Sequence, residues 1–275
     1  MRTVTLALLT GVALVCHPAA HAADLDYGVL RGPDYETASA EIDWNGGYFG
    51  GHAGYTTTSL NFGSSGQSDL AQILRSTAIE SEYRISGSNT LKPARPHDVG
   101  IGGFAGYNYQ FDEAVIGLEV DYTSVNQKGR SEDSLTRRVM LSNGTYDIYR
   151  ISTAAHASLQ DYATIRMRAG YPMGAFLPFV TAGLAIGRAV AGNDVSVDLR
   201  EYSDINRTNL VGGLSESGGT TKEKYSLGYA LGIGGDYLLT QNIFVRGEYQ
   251  YLQFAKFGDV KVNVNTVRGA VGIKF

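Results

Sequence analysis

The stretch Val99–Phe111, "VGIGGFAGYNYQF", admits two readings that exclude each other. Gly100, Gly102 and Ala105 match G-x-G-x-x-A, and Glu119 follows at about the spacing of the acidic residue that holds a ribose in a dinucleotide fold. The motif carries that meaning only where a buried strand runs into the glycines and a helix runs out of them. Here Ile101, Gly103, Ala105, Tyr107, Tyr109 and Phe111 alternate with Gly102, Phe104, Gly106, Asn108 and Gln110. That is a period of two, where a helix needs about 3.6. The residues before it, "LKPARPHD", form a polar loop that contains proline, not a buried strand. Both contexts fail, so the segment reads as a β-strand and not as a nucleotide site.

The same period recurs outward from this stretch. In "AVIGLEVDYTS" the side chains of Ile116, Leu118, Val120 and Tyr122 oppose Gly117, Glu119, Asp121 and Thr123. In "YATIRMRAGY" the apolar face of Ala163, Ile165, Met167 and Ala169 opposes Thr164, Arg166 and Arg168. "FVTAGLAIG" sets Val180, Ala182, Leu184 and Ile186 against small residues, and "YSLGYALGIGGDY" sets Leu227, Tyr229, Leu231 and Ile233 against Ser226, Gly232 and Asp236. "IFVRGEYQYLQF" opposes Val245, Tyr249 and Tyr251 to Arg246, Glu248 and Gln250. "VNTVRGAVGIKF" puts Val267, Val271, Ile273 and Phe275 opposite Arg268 and Lys274. "WNGGYFGGHAGY", residues 44 to 55, completes eight strands, with Phe49, Gly51, Ala53 and Tyr55 the outward set.

Composition narrows the class. The chain carries 35 glycines, 18 tyrosines, 10 phenylalanines and 6 prolines with a net charge of -4, which leaves no basic footprint for nucleic acid. Beyond the N-terminus no segment approaches the roughly 20 apolar residues of a spanning helix. Two readings survive, a soluble β protein and a β-barrel of an outer membrane. The second gives every strand one face fit for lipid.

The N-terminus, "MRTVTLALLTGVALVCHPAAHA", has Arg2, an apolar run from Val4 to Val15, and small residues at Ala20 and Ala22. These are the parts of a secretory signal peptide over residues 1–22, cut after Ala22. Val15 is too bulky for the position before a lipidated cysteine, so Cys16 belongs to the discarded apolar run. The mature chain then holds no thiol for a disulfide or a metal. Residues 23–43 are acidic and lack periodicity, which predicts a periplasmic tail ahead of a barrel domain at 44–275.

Connection lengths test the barrel independently. "DE", "PMGA" and "LTQN" join successive strands, while the alternate connections span about residues 56–99, 126–157, 191–223 and 255–263. Short turns on the periplasmic side and long loops outside the cell are the asymmetry of an outer-membrane barrel. The expected fold is therefore all-β, an eight-stranded antiparallel up-and-down transmembrane β-barrel with long extracellular loops. Tyr109, Phe111, Tyr171, Phe176, Tyr237 and Phe275 fall near the turn ends, and Tyr122, Tyr225 and Tyr251 near the loop ends, as two aromatic girdles require. Phe275 at the C-terminus also matches the signal read by the barrel-assembly machinery.

Eight strands leave a lumen about wide enough for side chains to fill. The polar faces deliver Glu119, Asp121, Asp236 and Glu248 there with Arg166, Arg168, Arg246, Arg268 and Lys274, which predicts an ion-pair network as a plug. A narrow gated pore or small-ligand site is the alternative. No catalytic residue, cofactor or metal is expected. His156 and Ser158 share a face, yet no third group orients them. His52 and His97 read as ordinary polar residues, and no His/Asp/Glu cluster has ligand spacing. In the first long connection Leu70, Ile73 and Leu74 have the spacing of a short amphipathic helix. The segment 126–157 holds five basic and three acidic residues, including Arg137 and Arg138, and 191–223 three basic and six acidic. Opposite charges could pair these loops over the barrel mouth, with the basic one facing lipopolysaccharide phosphates.

Taken together, "WNGGYFGGHAGY", "GGFAGYNYQF" with "VIGLEVDY", "IRMRAGY", "GYALGIGGDYLL" with "VRGEYQYLQF", and "NTVRGAVGIKF" resemble the alphaproteobacterial outer-membrane β-barrel proteins. These are related to opacity proteins and to the OmpA transmembrane domain, and are often described as porin-family or immunogenic outer-membrane proteins. The resemblance covers about residues 44–275. It implies an abundant, non-enzymatic surface protein with a structural, adhesive or immunogenic role, in contact with outer-membrane lipid and lipopolysaccharide. A host or surface ligand would then be met through the loops. Some relatives bind haemin, so a ligand-binding or narrow pore-forming barrel is the alternative role. The first loop is longer than the family pattern, and no functional residue transfers from the family.

Overall fold

In a computed structural model, residues 42–255, 257 and 259–275 are described, and the expected signal peptide and nearly all of the expected tail lie outside them. Eight antiparallel strands follow one another around a closed ring: β1 (Gly46–Asn61), β2 (His97–Phe111), β3 (Ala114–Met140), β4 (Tyr146–Gly170), β5 (Phe176–Tyr202), β6 (Leu210–Leu238), β7 (Ile243–Phe254) and β8 (Lys261–Lys274). Each strand pairs with its sequence neighbours, and β1 closes on β8 from Tyr48↔Lys274 to Asn61↔Lys261. Closure follows from solvent. Every backbone N–H or C=O left unpaired in hydrocarbon costs several kcal/mol, so a spanning sheet has no free edge.

The alternation sorts side chains as expected. Ile116, Leu118, Val120 and Tyr122 of β3 are exposed on the outer wall, as are Val180, Leu184, Leu231, Ile233, Val267 and Val271 on the other strands. In β1 the glycine-rich segment resolves the same way, with Phe49 and Tyr55 outward and Tyr48, His52 and Thr56 buried. The short turns are tight. Asp112 adopts a left-handed φ of 42° between β2 and β3, a conformation that Asp tolerates better than most residues.

Above the rim the molecule departs from the loop expectation. The segments 126–157 and 191–223 are mostly strand, and β3 to β6 continue as a four-stranded sheet out of the membrane. The physical reason is a change of medium. Beyond Ser124 the outer face of β3 meets water and turns to Asn126, Lys128, Arg130 and Glu132, so a rule that seeks apolar residues outside stops reporting strand. In β4 the parity also switches. The ladders to both neighbours slip next to Gln160, so odd residues face inward above it and even residues below it. The two charged segments are thus joined by the backbone ladder between β4 and β5, not by opposite charges across a mouth.

The first long connection is ordered. It forms α1 (Gln67–Leu74) with Leu70 and Leu74 buried, as their spacing predicts, then α2 (Ala78–Tyr83) capped by the Thr77 hydroxyl. Both lie on the inner face of the protruding sheet, where Leu70, Leu74, Ile79 and Ile85 pack against Tyr149, Ile151, Val195, Val197 and Leu199. An arginine on the lipid-facing wall tests the orientation of the barrel. Leu118→Arg is expected to cost about 2–4 kcal/mol in denaturant unfolding from bilayers, against little for Lys128→Arg above the rim.

Candidate functional site

The lumen is filled in layers. At the turn end Trp44, Tyr48, Phe104, Val115, Leu177 and Phe244 form an apolar floor, and Trp44 Nε1 donates to the carbonyl of Gly174 at 3.2 Å. At the outer end Leu60, Phe62, Leu159, Leu252, Phe254 and Val264 form an apolar ceiling. Between them stand the charges.

Four arginines and four carboxylates meet there, each at most 4% exposed. Three pairs are neighbours in register, Glu119↔Arg166, Asp236↔Arg246 and Glu248↔Arg268. Their contacts measure 2.5 Å for Arg166 Nη2 to Glu119 Oε1, 2.7 Å for Arg246 Nε to Asp236 Oδ1, and 2.8 Å for Arg268 Nη2 to Glu248 Oε2. The second contact of each arginine crosses the lumen. Arg166 reaches Glu248, Arg246 reaches Glu119 at 2.5 Å, and Arg268 reaches Asp121 at 2.6 Å. Arg168 of β4 pairs with Asp236 of β6 at 2.5 Å and lies 3.8 Å from the centre of the Phe179 ring. Four positive and four negative charges leave the layer formally neutral, as burial of ions requires.

Local sequence makes the room. Gly232 of β6 faces the layer, and a Cβ there would stand 2.8 Å from Glu248 Oε1 and 2.5 Å from Thr181 Oγ1. Gly102, from the glycine pattern of residues 99–111, answers the same need. A Cβ on it would lie 2.6 Å from Nε2 of His52, so that glycine admits an imidazole and not a phosphate.

The structure thus brings together Glu119, Asp121, Arg166, Arg168, Asp236, Arg246, Glu248 and Arg268, but not Lys274. Its ammonium donates to the backbone carbonyl of Asp43 at the turn end, because the floor of Tyr48, Phe244 and Ala270 separates the last residue of β8 from the charges. Two members escaped sequence reasoning. Tyr48 donates its hydroxyl to Glu119 at 2.9 Å, and His52 Nε2 stands 3.0 Å from Asp121 Oδ2 and 3.4 Å from Thr123 Oγ1. The outward assignment of Phe49 and Tyr55 already implied both by parity. His156 and Ser158 lie on the outer face of the protruding sheet, and the His156 ring stands 3.3 Å from Thr221 Oγ1, the one hydrogen-bond partner it has among the described residues. His97 lies beside Tyr55 at the rim, the two rings tilted by 35°.

A closed ring of eight strands with an apolar outer wall, aromatic ends and a neutralised charged interior defines an integral outer-membrane β-barrel. The chain belongs to the family described as outer membrane protein beta-barrel domain, which it matches over residues 6–275. It is similar to the 31 kDa outer-membrane immunogenic protein of Brucella melitensis, at 28% identity over 98% of each chain. The 22 kDa outer membrane protein of Rhizobium leguminosarum is 30% identical over 65% of this chain and 68% of that one. Of solved structures, Neisserial surface protein A is similar at 15% identity and a TM-score of 0.35, over 83% of this chain and 97% of that one. The protein is accordingly an outer-membrane protein of the Gram-negative envelope.

Removing one carboxylate tests the network. Glu119→Ala strands parts of Arg166 and Arg246 without their partner and is expected to cost about 3–5 kcal/mol in denaturant unfolding. Lys274→Ala, outside the layer, is expected to change stability by no more than about 0.5 kcal/mol.

Proposed function

We propose that this barrel is a sealed, non-enzymatic scaffold whose work is done outside the cell, by the sheet and helices it holds above the membrane. The observation that carries this reading is the layered lumen, in which apolar floor, ion network and apolar ceiling leave the charges at most 4% exposed. Ions have no hydrated path through such a stack. The exposed part, by contrast, is built rigidly. Its own apolar core of Leu70, Leu74, Ile79, Tyr149, Ile151 and Val197 seats α1 and α2 on β4 and β5, as presentation of a defined surface requires. The names of the Brucella relatives, outer-membrane immunogenic proteins, fit a surface of this kind.

In this reading residues 1–22 direct export and 23–43 form the periplasmic tail. The C-terminal strand ending at Phe275 serves the assembly machinery, the eight charged residues of the lumen layer have a structural role, and Lys274 contacts the backbone of Asp43 at the strand end. Lys128 and Arg130, on the outer face of β3 above the lipid band, sit where lipopolysaccharide phosphates would meet them. The role is adhesion, antigen display or support of the envelope through these exposed elements.

Purified protein in planar bilayers is expected to give no large stable conductance steps, and their appearance would replace the scaffold with a pore. Trimming β3–β4 and β5–β6 to short turns at the rim is expected to leave a folded, heat-modifiable barrel. Cells carrying it are expected to lose surface binding and antibody recognition. Unchanged binding with weakened envelope integrity would place the function in the barrel instead.

A further inference from the structure

Above the rim one carboxylate breaks the rule that a buried polar atom finds a partner. Asp147, near the tip of β4, is 1% exposed, and neither of its oxygens has a hydrogen-bond partner among the described residues. Register places Glu201 of β5 directly opposite it, and like charges opposed on one face of a sheet repel. On its other side β3 offers Val139. From above, α2 brings Glu82, whose carboxylate accepts the backbone N–H of Ser142 at 3.2 Å and its hydroxyl at 2.5 Å. The Thr145 hydroxyl, in the β3–β4 turn, is taken up by Asn143 Oδ1 at 2.8 Å.

Among the described residues no base compensates. Arg137 of β3 shares the face but is exposed, Arg84 after α2 is exposed, and neither donates to Asp147. Arg138, Arg150 and Arg200 lie on the opposite face by strand parity. Burial first, then Glu201, and more weakly Glu82, push the Asp147 carboxyl up to about 6 from a carboxylate's usual value near 4, against a smaller downward pull from the nearby Thr145 hydroxyl.

We propose that Asp147, Glu201 and Glu82 form a proton-operated latch, which holds α2 against the tip of the extracellular sheet while Asp147 is protonated and loosens it when Asp147 ionises. The docked state binds a proton that the undocked state gives up. Its contribution is therefore complete below the ordinary carboxylate range and is lost as pH rises through about 6. The ionised form sets a third negative charge beside Glu82, and α2 is attached there by Ile79 and the following Ile85, by the Glu82 contacts to Ser142, and by the Tyr83 hydroxyl, which donates to the carbonyl of Met140 at 2.8 Å. The barrel, whose charges are separately neutralised, is untouched.

Hydrogen exchange on the full protein in nanodiscs reads the latch, with protection factors corrected for the intrinsic pH dependence of exchange. Protection of the 78–87 amides is expected to be on the order of ten-fold higher at pH 5 than at pH 7.5, one pKa unit being a factor of ten. In Asp147→Asn it is expected to be high and equal at both. Glu201→Gln keeps Asp147 and is expected to shrink the difference, which gives a second reading if Asp147→Asn disturbs the tip. Equal protection at both pH values in the wild type, or an unchanged difference in both variants, would overturn the proposal. So would a difference abolished by calcium, which would make the cluster a metal site.

Discussion

The constraint on which everything else rests is the backbone's need for partners in hydrocarbon. A sheet in that medium closes, and once it closes with eight strands its interior is too narrow to be solvent and too polar at its strand faces to be left empty. Outer wall and lumen then follow opposite rules. The wall carries Leu118, Leu184, Leu231 and Val271 because lipid accepts them, while the lumen admits Arg166 and Arg246 only because Glu119 and Glu248 stand beside them. The register pairs along adjacent strands could exist in an open sheet. The contacts from β4 to β7, from β7 to β3 and from β8 to β3 need the ring, and in turn they hold its far sides together.

The same strands obey different chemistry once they leave the membrane. Between Ser124 and Met140 the outer face of β3 becomes polar, and apolar side chains such as Val195, Val197 and Leu199 of β5 gather on the inner face to receive α1 and α2. One chain thus builds two modules with inverted polarity, a barrel that is greasy outside and a sheet that is greasy inside. The bulge next to Gln160 in β4 carries that strand across the boundary between them. Because the outer module has its own apolar core, the surface above the membrane is a defined shape, and carboxylates such as Asp147 can be buried in it away from any counter-ion.

What could be read from the chain alone was the alternation. Period two at residues 99–111, 115–124 and 162–171 was enough for strands and for inward or outward facing, and short turns such as Asp112–Glu113 ordered them into a ring, because side-chain direction in a strand is a purely local property. Nine charged residues fall in the lumen on that ground, of which the structure brings eight together, while His52 and Tyr48 go unread in a strand whose glycines blur the pattern. Only the tertiary structure decided which arginine meets which carboxylate, that Lys274 stays outside the layer, and that the charged segments above the rim are sheet. Those outcomes depend on position around the ring and on whether lipid or water lies beside a strand, and neither is encoded in the spacing of residues along it.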